Sequence, residues 1–398
     1  MQENNQRLKV LSAGVLSLVL TLGIARFAYT PLLPLMQEQA GLGVTEGGTL
    51  AAFNYMGYLS GALLASFIND LILKDRLYRI GLVISVLTTL GMGLTTNLWV
   101  WEVLRFLAGL SSAAGLLFGS GLILNWLLRH NHPSELGIHF GGTGVGIALG
   151  AISVEVMSPW FDWQTQWILF SVLGAILLIP ALRWLPPPDS SSFTRTGVRL
   201  VDTPPSPLFM RLFMAAYFCA GMGYVISATF IVAVIEEQPE LAGRGALVFL
   251  VLGLAATPAC IIWDLIARRT GEVLALIGAA LLQIVGILLP IWMDGLVWAF
   301  LGAILFGGTF IGIVSLVLTM AGRYYPTRPA KMMGRMTVAY GVAQILGPAL
   351  TGWLAGQTGS YAQGLYMAAG VMVVGTLLLI ILRQVELADK RRLLAQQS

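Results

Sequence analysis

Long apolar runs, each bounded by charged or Pro/Gly-rich clusters, recur twelve times along this 398-residue chain. Each run reaches the roughly 20 residues that a helix needs to cross a bilayer. The pattern predicts spans over residues 10–36, 47–68, 77–95, 98–122, 136–157 and 167–185, and then over 208–235, 241–265, 273–292, 295–321, 332–355 and 361–382. Between the sixth and seventh, Pro186-Pro187-Pro188-Asp189-Ser190-Ser191-Ser192 runs on to Pro204-Pro205-Ser206-Pro207, a composition that keeps a linker extended or disordered. The expected fold class is therefore an all-α membrane protein. Its expected domains are a six-helix bundle over 1–185, a cytoplasmic linker over 186–207 and a second six-helix bundle over 208–398.

Composition agrees: 57% of residues are hydrophobic and 11% charged, against about 25% charged in an ordinary soluble domain. Most of the surface must face something other than water. The polar stretch 1–9 is short and the apolar run after it is too long for a signal-peptide core of about 7–15 residues, so no cleaved leader is expected. Cys219 and Cys260 lie in apolar runs and make neither a disulfide framework nor a zinc site; both read as inert packing residues.

Charge sets the orientation. Of 23 Lys and Arg residues, Arg26 and Arg105 fall inside spans and Arg244 alone falls on the side away from the termini; the other 20 share the side of the termini. The positive-inside rule then places both termini in the cytoplasm. The net charge of +4 reports this topology and is no argument for nucleic acid.

The halves read as copies. A shift of 197 residues lays Gly137, Gly146, Gly150 and Ala151 on Gly334, Ala343, Gly347 and Pro348, and Gly115 on Gly312. A shift of 194 lays Asp70 on Asp264.

Six plus six spans, a polar linker and a duplicated pattern resemble the major facilitator superfamily, and short motifs agree. Leu104-Arg105-Phe106-Leu107-Ala108-Gly109-Leu110-Ser111 is similar to that family's fourth-helix pattern. Gly137, Gly146 and Gly150 keep the spacing of its fifth-helix antiporter motif, although Ala151 stands where that motif has Pro. Asp264-Leu265-Ile266-Ala267-Arg268-Arg269 resembles its loop signature, and residues 69–79 hold a degraded first copy in two possible registers. Gly23 to Pro34 and Asn54 to Gly61 resemble the bacterial YbfB/YjiJ-type branch. The resemblance implies alternating access of two bundles about a central cavity lined by the first and fourth helices.

The candidate chemistry starts from Arg26, within Leu22-Gly23-Ile24-Ala25-Arg26-Phe27-Ala28-Tyr29. An Arg at the centre of a span costs about 2.5–3.5 kcal/mol, so it is expected to face protein or a watery cavity. At about 1.5 Å per residue, Arg26 and Arg105 both lie roughly 10–15 Å below the outer surface. Two like charges repel, so an anion or an acid is expected to complete the site. Either the pair grips a carboxylate or phosphate-like group, or each is a strut bonded to backbone carbonyls or to an acid. Glu102 and Glu155 are the acids available for proton coupling, and the first span offers none. Tyr29, Asn54, Tyr58, Tyr224, Tyr340 and Gln344 are the candidate neutral lining of the substrate site.

Other features read as structural. Trp99, Trp101, Trp160, Trp163, Trp292 and Trp298 are expected to form an outer aromatic belt. Gly142, Gly146 and Gly150 recur on one helix face and are expected to let two backbones approach, since Gly141 to Gly146 lacks the strand and Lys of a phosphate loop. At the cytoplasmic ends, Asp264 with Arg268 and Arg269, and Asp70 with Lys74 and Arg76, are candidate gate contacts. His130, His132 and His139 lie in or beside the same cytoplasmic loop and read as solvated, with no metal site or relay.

The function expected is a secondary active transporter of the bacterial inner membrane moving a small organic anion, with proton coupling left open. The alternatives are a proton-coupled multidrug or metabolite exporter and, from another class, a transporter-like sensor or a membrane-embedded enzyme. No nucleophile-base or metal-ligand constellation stands on paired spans, so neither an enzyme nor a cofactor is expected. The expected partners are a small-molecule substrate and membrane lipid, for a monomer.

Overall fold

A computed structural model describes residues 2–133, 135–189, 199–236, 238–241, 244–358 and 362–397. Ser190, Ser191, Ser192 and the expected span start at Tyr361 lie outside the described residues. The described chain is helical. Its elements are α1 (Gln2–Leu18), a π-helical segment (Val19–Phe27), α2 (Tyr29–Ala40), α3 (Val44–Phe67), α4 (Leu71–Leu94), α5 (Leu98–Ala113) and a second π-helical segment (Ala114–Gly119). There follow α6 (Ser120–Arg129), α7 (Leu136–Met157), α8 (Trp163–Trp184), α9 (Pro207–Glu236), α10 (Gly245–Thr270), α11 (Glu272–Trp292), α12 (Leu296–Tyr324), α13 (Pro329–Thr358) and α14 (Ala362–Gln397).

Ten of these continuous helical stretches are long and apolar enough to cross a membrane among the described residues. α3 and α13 are long, at 24 and 30 residues, but are not among the ten. Their apolar faces are diluted by Glu46, Asn54 and Ser60 in one and by Lys331, Arg335, Thr337 and Gln344 in the other.

Local chemistry sets several ends. Asp70 caps α4 by accepting the Ile72 N–H at 3.0 Å, and this starts the helix six residues earlier than apolarity alone suggests. Asp162 caps α8 through the Thr165 N–H at 2.8 Å, and that bonding holds its carboxyl below the usual carboxylate range. Gly41 ends α2 with φ 67°, a left-handed turn that favours glycine.

The chain divides into two compact units, Met1–Val201 with Ala321–Val338, and Asp202–Met320 with Ala339–Ser398. In the first, glycines let backbones meet. A Cβ on Gly146 would lie 2.6 Å from the Gly23 Cα, and one on Gly142 would lie 2.6 Å from the Val15 carbonyl oxygen. The Gly142/Gly146 face of α7 is thus a packing seam against α1 and the first π-helical segment. A second seam joins α3 to α5, where a Cβ on Gly109 would lie 1.9 Å from the Asn54 oxygen and one on Gly57 1.9 Å from the Phe106 oxygen.

The aromatic belt needs correcting. Trp99, Trp160, Trp292 and Trp298 are exposed, but Trp101 and Trp163 are buried and meet edge to face at 5.5 Å. Two residues past Trp99, Trp101 points to the other side of α5, where its Nε1–H donates to the Met92 carbonyl at 3.0 Å. Both join a core that includes Met36, Trp167 and Phe170. Cys219 and Cys260 are free thiols, buried in their helices.

Candidate functional site

Arg26 lies one residue short of the end of the first π-helical segment and is only 7% exposed. Its guanidinium sits over three rings: Tyr58 at 4.6 Å, Tyr55 at 5.0 Å and Phe27 at 5.3 Å from the ring centroids. Each face offers the negative part of an aromatic quadrupole to the cation. Tyr55 and Tyr58 share a face of α3 because they are three residues apart. Tyr58 and Phe27 come from different elements, so the box exists only where the Arg26 side chain reaches from the π-helical segment to α3.

Arg105, from α5, has a different environment. Its Nη1 donates to the Ala25 carbonyl at 3.0 Å. Longer contacts of 3.5 Å reach the Arg26 carbonyl from both terminal nitrogens and the Leu50 carbonyl from Nε. The firm bond is the one to Ala25, since 3.5 Å is the edge of hydrogen-bond geometry. The guanidinium also lies 4.3 Å above the Tyr29 ring. The carbonyls it holds belong to the very turn that carries Arg26. A π-helical turn leaves backbone oxygens misaligned with the ordinary ladder, and a five-donor fork is suited to collecting them.

The rest of this cluster is interlocked. Tyr29 donates its hydroxyl to the Gly47 carbonyl at 2.9 Å, and Asn54 donates its amide to the Arg105 carbonyl at 3.0 Å. Tyr29, Asn54 and Arg105 are thus brought together as a buried brace, while Arg26 and Tyr58 belong to the aromatic box. Tyr55 and Phe27 are additions that the sequence reading missed; the three-residue spacing of Tyr55 to Tyr58 was the available signal.

The acids lie apart from each other in kind. Glu102 is buried and no ion pair joins it to Arg105 among the described residues. Glu155 is exposed on α7.

In the second unit, Tyr340 stacks near Tyr217 at 4.6 Å and Tyr224 at 5.8 Å, and Tyr224 stacks on Phe310 at 5.1 Å. Gln344 is buried one turn beyond Tyr340. These residues form an aromatic ladder across α9, α12 and α13.

At the helix ends, Asp70 is a cap, and Lys331 donates to its neighbour Asn69 at 2.9 Å. Asp75 pairs with Arg79 at 2.9 Å, and Arg79 also holds the Leu182 and Leu185 carbonyls at 2.9 and 3.0 Å. The second copy repeats the i,i+4 pairing in Asp264 with Arg268 at 2.8 Å, while Arg269 is exposed. Of the histidines, His130 and His132 stack on Trp126 at 4.1 and 5.8 Å. His139 is not a loop residue: it is fully buried in the first turn of α7. Its neighbours include Gly14 of α1 and Ser120 of α6, and no local sequence pattern announces them.

Solved structures share this architecture. The chain superposes on the nucleoside transporter NupG with a TM-score of 0.66 at 14% identity, covering 95% of this chain and 99% of that one. It matches the E. coli fucose:proton symporter FucP with the same TM-score and identity over 93% and 98%. Among sequences, it is 25% identical to the probable sulfoacetate transporter SauU of Cupriavidus necator over 86% of both chains. It is 24% identical to the uncharacterised MFS-type transporter YceJ of Bacillus subtilis over 67% of this chain and 69% of that one. With the uncharacterised MFS-type transporter YcaD of Salmonella arizonae it shares 27% identity, and there it spans only 43% of the relative's length. Residues 18–380 match the family model described as uncharacterised MFS-type transporter YbfB, so the chain belongs to that family of MFS-type transporters.

Proposed function

We propose that this transporter moves a small organic anion, gripped by Arg26, across the bacterial inner membrane by alternating access of two six-helix bundles, 1–185 and 208–398. The observation that carries the reading is the buried Arg26 guanidinium in its box of Phe27, Tyr55 and Tyr58. A guanidinium keeps its charge over such rings, and an entering carboxylate or sulfonate gains a charge-assisted bond from it. Arg105, bonded to the carbonyls of Ala25 and Arg26, positions that turn and leaves Arg26 as the anchor. Tyr224, Tyr340 and Gln344 are the candidate substrate contacts of the second half in this proposal, and α3 and α13 complete a set of twelve spans with both termini cytoplasmic. The name of the relative SauU points the same way: sulfoacetate is a small anion with a carboxylate and a sulfonate.

The test is a thermal-shift screen of purified protein against small carboxylates, sulfonates, phosphates, sugars and cationic amphiphiles at two pH values. Stabilisation by small acids that disappears in Arg26→Gln supports the proposal. Stabilisation by cations alone overturns it and favours the multidrug exporter.

A further inference from the structure

His139 is fully buried, and its Nε2 lies 2.8 Å from the Ser120 Oγ. The Ser120 hydroxyl is itself directed at the Leu116 carbonyl, so its proton is committed there and Nε2–H is the donor in the His139–Ser120 contact. The other ring nitrogen, Nδ1, has no hydrogen-bond partner among the described residues and packs on Gly14, where a Cβ would lie only 2.4 Å away. The Gly14 backbone is the polar group facing it. A neutral imidazole has one N–H for these two acceptors, and an imidazolium has two. Burial favours the neutral ring while the two acceptors favour the imidazolium, so a proton bound there depends on how closely α1, α6 and α7 close over the ring.

A run of hydrogen bonds leads from this site to the segment that carries Arg26. The Gly14 carbonyl accepts from Ser17 Oγ at 2.8 Å, the Ser17 carbonyl from Thr21 Oγ1 at 2.8 Å, and the Thr21 carbonyl from Ser112 Oγ at 2.8 Å. Thr21 lies in the π-helical segment that carries Arg26. The elements packed on α7 are α1, α2, α6 and that segment. Among the described side chains their titratable groups are Arg7 and Lys9, Tyr29 and Glu38, Arg129, and Arg26. Arg7 is paired with Glu135, which precedes α7; Lys9 is exposed; and Arg129 holds Asn125 and Asp189.

We propose that His139 is the group at which this transporter binds the proton coupled to solute movement, an inference that rests on the transport reading above. A proton from water adds to the Nδ1 lone pair, and the new N–H donates to the Gly14 carbonyl oxygen, leaving the ring with one positive charge. Because the ring is sealed between α1, α6 and α7, this exchange occurs only when that seam opens. Proton occupancy is thereby tied to conformation, and through Ser17, Thr21 and Ser112 to the turn that holds Arg26.

Hydrogen exchange by mass spectrometry on the full chain in lipid nanodiscs, with no solute added, tests the proposal with the proton as the only ligand. After correction for intrinsic rates, protection over residues 14–27 should change at least about threefold between pH 5.5 and 8 in the wild type and not in His139→Gln. Ser120→Ala removes one acceptor, and charge-assisted bonds are the stronger ones, so the midpoint should fall by about one pH unit, a tenfold loss of proton affinity. A pH-independent wild type, a retained response in His139→Gln, or an unmoved midpoint in Ser120→Ala overturns it. If His139→Gln does not fold, His130→Asn/His132→Asn leaves a single imidazole for NMR of labelled histidine. That resonance must titrate between pH 5 and 8, and a ring fixed in one form overturns the proposal. Since no solute is present, failure of the anion reading leaves this result unaffected.

Discussion

Replacing Arg105 by Ala removes the firm bond to the Ala25 carbonyl, the longer contacts to Arg26 and Leu50, and the guanidinium above Tyr29. A bond to a charged donor contributes about 1.5–3 kcal/mol, and a desolvated cation–π contact about 0.5–2 kcal/mol. Counting one firm bond and one ring contact gives a loss of about 2–5 kcal/mol. At about 2–4 °C per kcal/mol for a unit of this size, the melting temperature falls by roughly 4–20 °C. Arg105→Lys keeps the charge and loses the fork, so it should recover only part of the loss. The assay is thermal unfolding in detergent followed by intrinsic tryptophan fluorescence, with Arg26→Gln beside it. Arg26→Gln gives up the contacts to Phe27, Tyr55 and Tyr58, each worth about 0.5–2 kcal/mol when desolvated, so its melting temperature should also fall. An Arg105→Ala melting temperature within 2 °C of wild type would refute the bracing role.

Gly109→Ala places a methyl 1.9 Å from the Asn54 oxygen; α3 and α5 must part, at a cost of about 1–3 kcal/mol, seen as a lower melting temperature. Gln283→Leu should do the opposite, because both amide atoms of this buried α11 side chain lack partners among the described residues and removing them relieves about 1–3 kcal/mol; an unchanged or lower melting temperature would count against this. Arg79→Met frees Asp75 and the carbonyls of Leu182 and Leu185. Since Arg79 is partly exposed, the loss should be about 1–3 kcal/mol, with faster proteolysis near the end of α8 as the check.

Much of the helical layout was legible because bilayer crossing imposes length and apolarity on each segment. The span expected over 136–157 coincides with α7, and that over 273–292 lies within a residue of α11. Starts fixed by a polar cap were less so: α4 begins at Asp70, inside a charged stretch that hydropathy excludes. The π-helical segments were invisible, since Val19–Phe27 reads as ordinary apolar helix and its geometry depends on what packs there, Gly146 against Gly23 and Arg105 against Ala25. That is also why one depth for two arginines did not reveal their different surroundings. Depth follows from counting residues, whereas the neighbours of a guanidinium are set by other helices. His139 shows the same limit, for a position beside a charged loop looks solvated until α1 and α6 cover it.

The central claim is that Arg26 anchors a small organic anion, and uptake into proteoliposomes tests it most directly. The substrate would be the best radiolabelled acid from the screen, with wild type, Arg26→Gln and Arg105→Lys reconstituted at equal density. Loss of one charge-assisted bond corresponds to about 10- to 150-fold in affinity. Arg26→Gln should therefore raise the half-saturating concentration by at least tenfold while the protein stays folded, and Arg105→Lys should change it far less at temperatures below its melting point. Unchanged half-saturation in Arg26→Gln would contradict the account.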